Sequence, residues 1–286
     1  MLCAVGDLIE DIVVQLHGEI NRDTDTPAAI TRRRGGSAAN VAYFAAKLTG
    51  RSRFVGCVGD DPLGDSLVAQ LSRHGVDVRG ERHGRTGSIV VVATTDGNRT
   101  MLTDRGSATE LRAFDPAWLE GVQVLHVPLY SFSHEPLRTS ARSAVRAART
   151  NGATVSVDLS STALIEHLGA QAVQVLLDDL APDVLFCTRS EADAVGVRPD
   201  RRFSARHVVV KDGARPIRVL TSDGAELGFE VDAVAEVVDA TGAGDAFAAG
   251  FLTSLAHGDA LADCVERGRT LAARVVMLPG ATLETQ

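Results

Sequence analysis

A chain of 286 residues with 45% hydrophobic content, 27 glycines and only 9 prolines is long enough to bury the core of one large α/β domain. Its formal net charge of −8 and the lack of any long Lys/Arg block argue against a nucleic-acid surface, where affinity comes from neutralising phosphates. A small molecule is the expected partner. Four scattered cysteines, Cys3, Cys57, Cys187 and Cys264, lack metal-ligand spacing and lie mostly in apolar runs, so buried reduced thiols and a cytoplasmic setting are expected. The start, Met1 to Gly6, has no basic residues and no long apolar core, and no stretch approaches the roughly 18 apolar residues of a membrane span.

Leu2 to Val5 reads as a buried strand, and Gly6 to Asp11 as a loop at its carboxyl end, where ligands of open α/β sheets bind. Asp11, ionised, can accept two hydroxyls there. From Ile12 to Arg34 the pattern loosens into short β-like runs, an excursion from the core. Arg34-Gly35-Gly36-Ser37-Ala38-Ala39-Asn40 then opens an apolar helix through Leu48. Gly35 and Gly36 allow close approach to the backbone, and Asn40 offers a donor and an acceptor to a polyol. Arg53 to Gly59 is a strand, and Asp60-Asp61-Pro62 caps a helix through Ser72. Thr86 to Thr95 and Arg99 to Thr103 are β-rich runs about Asp96-Gly97-Asn98, a hairpin signal. Arg105 just beyond is equally placed to reach a substrate or to be a surface arginine.

The middle of the chain alternates strand and helix. Val122 to Val127, Ala153 to Asp158 and Val184 to Cys187 read as strands, with helices over Glu135 to Thr150 and Ala163 to Leu180. Such alternation predicts right-handed crossovers and a mostly parallel sheet. Asp158 is assigned chiefly to capping with Ser160 or Ser161, and His126 and His134 to structure. His207 to Lys211 is a further strand, followed by a hairpin about Ser222-Asp223-Gly224 and a helix over Leu261 to Met277.

Before that last helix comes Val238-Asp239-Ala240-Thr241-Gly242-Ala243-Gly244-Asp245-Ala246-Phe247, running into apolar positions at helical spacing. Gly242, Ala243 and Gly244 carry almost no side chain, so their N–H groups can converge at the positive end of a helix and form an anion hole. Asp245 stands one step further as a carboxylate able to take the proton of a hydroxyl attacking phosphorus, and its first-turn position favours the ionised form. These residues point to phosphoryl transfer to an alcohol. No G-x-x-x-x-G-K-[ST] loop is present, so this is not a P-loop arrangement.

The stretches over residues 34–42 and 238–247 resemble the two signatures of the ribokinase-like (PfkB) sugar kinases, and the closing Leu278-Pro279-Gly280-Ala281 is similar to the family's final P-G-A. The resemblance implies a single domain over 1–286, a three-layer sandwich with a mostly parallel central sheet. It also implies a small β-sheet lid from about 12–34 and 86–104 that closes over the sugar and makes a homodimer contact. It implies ATP as donor, with Asp245 as base, Gly242, Ala243 and Gly244 as anion hole, and Lys211, Gly213 and Thr241 beside the nucleotide. Asp11, Gly35, Gly36, Asn40 and Arg105 are then sugar-side residues. Glu191 corresponds to the family glutamate that organises Mg²⁺ through water, with Thr188 where relatives have Asn, so the ion's surroundings are expected to be rearranged. Asp239, with Thr241, matches a monovalent-cation position, making K⁺ a candidate activator. Ser37 stands where ribose-preferring members carry Lys, and Arg269-Thr270 where many carry Asn. The expected activity is ATP-dependent phosphorylation of a sugar or sugar-like alcohol. A nucleoside kinase of the same family and a catalytically silent sugar-binding relative are the alternatives. The lid's poverty in aromatic residues favours a sugar over a nucleoside.

Overall fold

The computed structural model describes residues 1–94 and 99–284. The chain begins with β1 (Leu2–Val5), β2 (Ile9–Leu16), β3 (Ala28–Gly35), α1 (Ser37–Thr49), β4 (Ser52–Val58), α2 (Pro62–Arg73) and β5 (Val76–Arg82). It continues through β6 (Thr86–Ala93), β7 (Arg99–Gly106), β8 (Val124–Pro128), α3 (Leu137–Thr150), β9 (Thr154–Asp158), α4 (Thr162–Leu168) and α5 (Ala170–Leu180). The remainder is β10 (Val184–Thr188), α6 (Arg189–Val195), β11 (His207–Asp212), β12 (Arg215–Thr221), β13 (Glu226–Phe229), α7 (Ala243–His257) and α8 (Leu261–Val276).

Nine strands form one sheet in the order β13-β12-β11-β10-β9-β8-β1-β4-β5, parallel except for the β11-β12-β13 edge. The parallel strands are nearly continuous apolar runs because helices cover both faces. Cys3 and Val5 of β1 pack with Leu137 and Val145 of α3 on one face. Leu2 and Ala4 pack with Phe44 of α1 and Phe247 and Phe251 of α7 on the other. The result is the expected three-layer sandwich.

After β1 the chain builds β4 and β5 on one side, then returns to place β8 on the other. That reversal leaves a crevice at the carboxyl ends of β1 and β8, the natural ligand position of an open α/β sheet. Over it lies a second sheet of four strands, β3-β2-β6-β7. Its register places Asp11 opposite Arg33 and Ile89, and Val14 opposite Ile30 and Val92. The hairpin signal at Asp96-Gly97-Asn98 lies outside the described residues, but β6 and β7 on either side are antiparallel as expected.

Two readings are corrected. Asp11 is not in a loop: the chain turns at Gly6 to Leu8 and Asp11 is the third residue of β2, so its position is fixed by a strand ladder. The helix expected over Ala163 to Leu180 is two helices, because Gly169 adopts φ 85 and ends α4 before α5 begins. No helix among the described residues is long and apolar enough to cross a membrane.

Candidate active site

Two cavities meet beneath the small sheet. The larger, about 410 Å³, is roofed by Asp11, Val13, Ile89, Val91 and Met101 and floored by Asp7, Asn40, Tyr130 and Asp245. The smaller, about 250 Å³, is lined by Asp158, Thr188, Glu191, Lys211 and Gly244. Ser37, Tyr130, Gly242 and Asp245 belong to both. Asp245 therefore stands at the doorway between them.

Asp245 lies in the first turn of α7, and its two oxygens are held from α1. Ser37 Oγ donates to Oδ1 at 2.7 Å and Asn40 Nδ2 donates to Oδ2 at 2.9 Å. Burial nevertheless pushes the carboxyl up to about 7, with Ser37 and Asn40 acting in the opposite direction. The expected ionised state at the helix start is thus overridden by desolvation. Asn40 itself accepts from Arg34, which also donates to the Ala281 carbonyl at 3.0 Å and lies over the Tyr43 ring. One donor and one acceptor of Asn40 are committed to the protein, so it orients Asp245 as well as facing the larger cavity.

The two glycines serve protein groups. A Cβ at Gly35 would stand 2.3 Å from Asp11 Oδ1, and one at Gly36, where φ is 98, 2.4 Å from the Asp7 carbonyl. They let β2 and the Asp7 turn close against the start of α1, and Gly36 also lines the larger cavity. Asp11 faces the larger cavity, and burial, with the neighbouring Asp7, pushes its carboxyl up to about 6. Arg105 is not a surface residue: it pairs with buried Asp7 at 2.8 Å and stacks on Tyr130 at 4.1 Å, still lining the cavity.

In the smaller cavity Lys211, the penultimate residue of β11, pairs with Asp158 at 2.8 Å. Burial lowers its affinity for a proton, but Asp158 and Glu191 together outweigh that and hold the ammonium charged. A Cβ at Gly244 would come within 3.3 Å of the ammonium, so the start of α7 and Lys211 face one spot. Asp158 is thereby more than the cap assigned from sequence, although its Oδ1 does accept from Ser160 N at 2.8 Å. Glu191 is fixed by a reciprocal capping box with Thr188: Thr188 N donates to Oε2 at 2.7 Å and Thr188 Oγ1 accepts from Glu191 N at 3.3 Å. Burial and Asp158 push the Glu191 carboxyl up. The acid pair Asp158 and Glu191 beside an ammonium fits a water-bound Mg²⁺ with phosphates.

Ala243 and Asp239 are engaged by the protein itself, and Gly213 lies outside both cavities. The Ala243 N–H donates to the Ala240 carbonyl at 3.2 Å and is spent inside the turn. Gly213 sits exposed in the β11–β12 turn and lines neither cavity. Asp239 accepts from Thr241 N at 2.9 Å, Thr241 Oγ1 at 2.7 Å and Gly280 N at 3.0 Å, with Arg33 at 3.6 Å. It is engaged as a clasp between the approach to α7 and the closing turn. His126 is fully buried, its ring pushed down to about 4 by desolvation, and bonds Ser156, as a structural histidine should. Sequence reasoning missed Asp7, Ser37 and Tyr130 as site residues. A hydroxyl at the first position of a helix after a diglycine was a usable signal for Ser37; Tyr130 gave none.

Comparison with known proteins agrees with this geometry. Residues 1–286 match the family model described as pfkB family carbohydrate kinase. The chain is 30% identical to "Fructokinase-2" of Zea mays over 284 residues, covering 91% of this chain and 82% of that one. Among solved structures, a probable sugar kinase from Rhizobium etli superposes with TM-score 0.86 at 24% identity, covering 99% and 95% of the two chains. A putative ribokinase II from E. coli in complex with ATP and Mg²⁺ superposes with TM-score 0.85 at 21% identity, covering 98% and 94%. With both signatures brought to one doorway under a small sheet, and a family match along its full length, this chain belongs to the pfkB family of carbohydrate kinases.

Proposed function

We propose that the larger cavity takes a fructose-like sugar and the smaller one the terminal phosphates of ATP, with Asp245 accepting the proton of the attacking hydroxyl. The observation that carries this is the sharing of Asp245 and Gly242 by both cavities, which puts one carboxylate beside both reactants. Asp11 and Arg105 supply an acceptor and a donor to sugar hydroxyls. The N–H groups at Gly242 and Gly244, with Lys211, face the charge that develops on the transferred phosphoryl group. Mg²⁺, when bound, neutralises phosphate charge, and Glu191 holds it through water. The adenine side is assigned to the β11–β12 edge that carries Gly213.

The roof of the larger cavity is aliphatic, and Tyr130, the aromatic ring lining it among the described residues, is already covered by Arg105. A nucleobase finds no free stacking platform there, which favours a sugar over a nucleoside. A coupled ADP-release screen with Mg²⁺ over ketoses, aldoses, sugar acids and nucleosides should give the highest kcat/KM for a ketohexose. A nucleoside at the top of that ranking would replace this reading.

The outer face of the small sheet supports the proposed lid dimer. Ile12, Val14, Ile30, Val90, Val92 and Leu102 share that face by register, and Ile30 and Leu102 are 63% and 59% exposed. Sedimentation should show a dimer that Ile30→Asp dissociates. For Asp239 we favour the clasp over a K⁺ site, so equal rates in Na⁺ and K⁺ are expected.

A further inference from the structure

At the β5 edge of the main sheet three donor side chains converge away from both cavities. Cys57, near the end of β4, stands opposite Glu81 of β5 in register, and His83 follows β5 directly. Cys57 Sγ is 3.4 Å from His83 Nε2, which is 3.0 Å from Glu81 Oε2. All three donor atoms lie within 4.8 Å of one another. Around a tetrahedral Zn²⁺, bonds of about 2.0–2.3 Å set donor atoms roughly 3.3–3.6 Å apart, so this triangle needs only small adjustment to close on an ion.

We propose that Cys57, Glu81 and His83 bind one thiophilic divalent cation, Zn²⁺ in chemical class, with water as fourth ligand. Glu81 is already aimed, because its two oxygens accept from the N–H groups of Arg112 at 3.2 Å and Ala113 at 2.9 Å. The thiol is buried, whereas the His83 and Glu81 side chains keep 29% and 23% exposure, leaving an open side for entry and for the water. On binding, the Cys57 thiol gives its proton to solvent, and His83 donates the Nε2 lone pair in its neutral form. The mixed sulfur, nitrogen and oxygen set selects against Mg²⁺, which prefers oxygen alone.

The ion would tie down the strap that carries a sugar-side residue. Ser107 Oγ shares its one proton between the His83 carbonyl at 2.6 Å and the Arg85 carbonyl at 2.7 Å, immediately after β7 delivers Arg105. With Glu81 holding residues 112–113, the cluster anchors the β7 exit at both ends. The sequence hid it because the spacing joins one cysteine to an E-x-H pair 24 residues later, across two paired strands.

The full-length protein, stripped with a chelator, is titrated with Co²⁺. We expect one equivalent to produce a thiolate-to-cobalt charge-transfer band with tetrahedral d–d absorption, displaced by one equivalent of Zn²⁺ and untouched by excess Mg²⁺. Cys57→Ser should abolish the charge-transfer band. His83→Gln, at a partly exposed position and checked for fold by circular dichroism, should weaken Co²⁺ binding about 100-fold or more. Absence of the band in the wild type, or wild-type affinity in His83→Gln, overturns the proposal. If Cys57→Ser does not fold, His83→Gln decides alone.

Discussion

In its proposed role as base, Asp245 would let one residue's environment set the pH at which the chain works. Its carboxyl, pushed up to about 7 by burial, must lose its proton before it can take one from a hydroxyl. The kcat/KM profile of the free enzyme should therefore fall below an apparent pKa near 7. Asp245→Asn should flatten that limb and lower kcat by roughly 10²–10⁴-fold, with sugar and ATP affinities little changed. The same shift has a stability consequence of definite sign. Between the ordinary 3.8 and about 7 the folded state binds the proton more tightly than the unfolded chain, so ionisation of this group removes stability as pH rises through that window. The Tm of Asp245→Asn should accordingly gain on wild type from pH 5 to pH 8; a constant difference would mean that the group is not desolvated. Asn40→Ala should reduce kcat because it frees Asp245 Oδ2, whereas Asp11→Ala should raise sugar KM with kcat nearly kept. Equal kcat losses in both variants would remove the distinction drawn here between orienting the base and holding the sugar.

At the scale of elements, two left-handed glycines make contrasting predictions. Gly36 has φ 98 and no room for a Cβ against the Asp7 backbone, while Gly213 has φ 62 and nothing within 4 Å. Gly213→Ala should cost about 1 kcal/mol, the price of the left-handed backbone alone. Gly36→Ala should cost more, about 2–4 kcal/mol in urea unfolding, because the Asp7–Leu8 turn and the start of α1 must separate to admit it. Comparable losses would refute the close-approach account. The sequence carried most of this layer: apolar runs marked the parallel strands, and Asp61 before Pro62 marked the capped start of α2, where its side chain accepts from Gly64 N. It failed where a partner is distant. Asn40 and Asp245 are 205 residues apart, and Asp158 and Lys211 are 53 apart, so periodicity could name each residue but not its bond. Asp11 was misassigned because a strand pairing with a second sheet looks, locally, like an irregular loop. The helix break at Gly169 was visible as a glycine, yet its effect depended on a positive φ that no pattern specifies.

Across the whole molecule, β3 links the roof of the larger cavity to the approach to α7. Arg33 reaches Asp239 at 3.6 Å, Arg34 bonds the Ala281 carbonyl, and Asp239 in turn holds Gly280 and Thr241 beside Gly242. The small sheet and the turn before α7 therefore share one set of charged contacts, and a ligand that settles β3 also settles the turn. Because coupling between two ligands is reciprocal, an ATP analogue should tighten sugar binding by the same factor that sugar tightens the analogue, on the order of 5- to 10-fold. Arg33 is the cation at the centre of this link, and its neighbour Gly280 leaves it little freedom, since a Cβ there would stand 2.7 Å from Arg33 Cδ. Arg33→Ala should leave each ligand's separate affinity within about threefold of wild type while bringing the coupling factor close to one. Calorimetric titration of sugar with and without the analogue, in both proteins, measures all four affinities. A coupling factor preserved in Arg33→Ala would show that the two cavities communicate by another route, through α1 and its hold on Asp245.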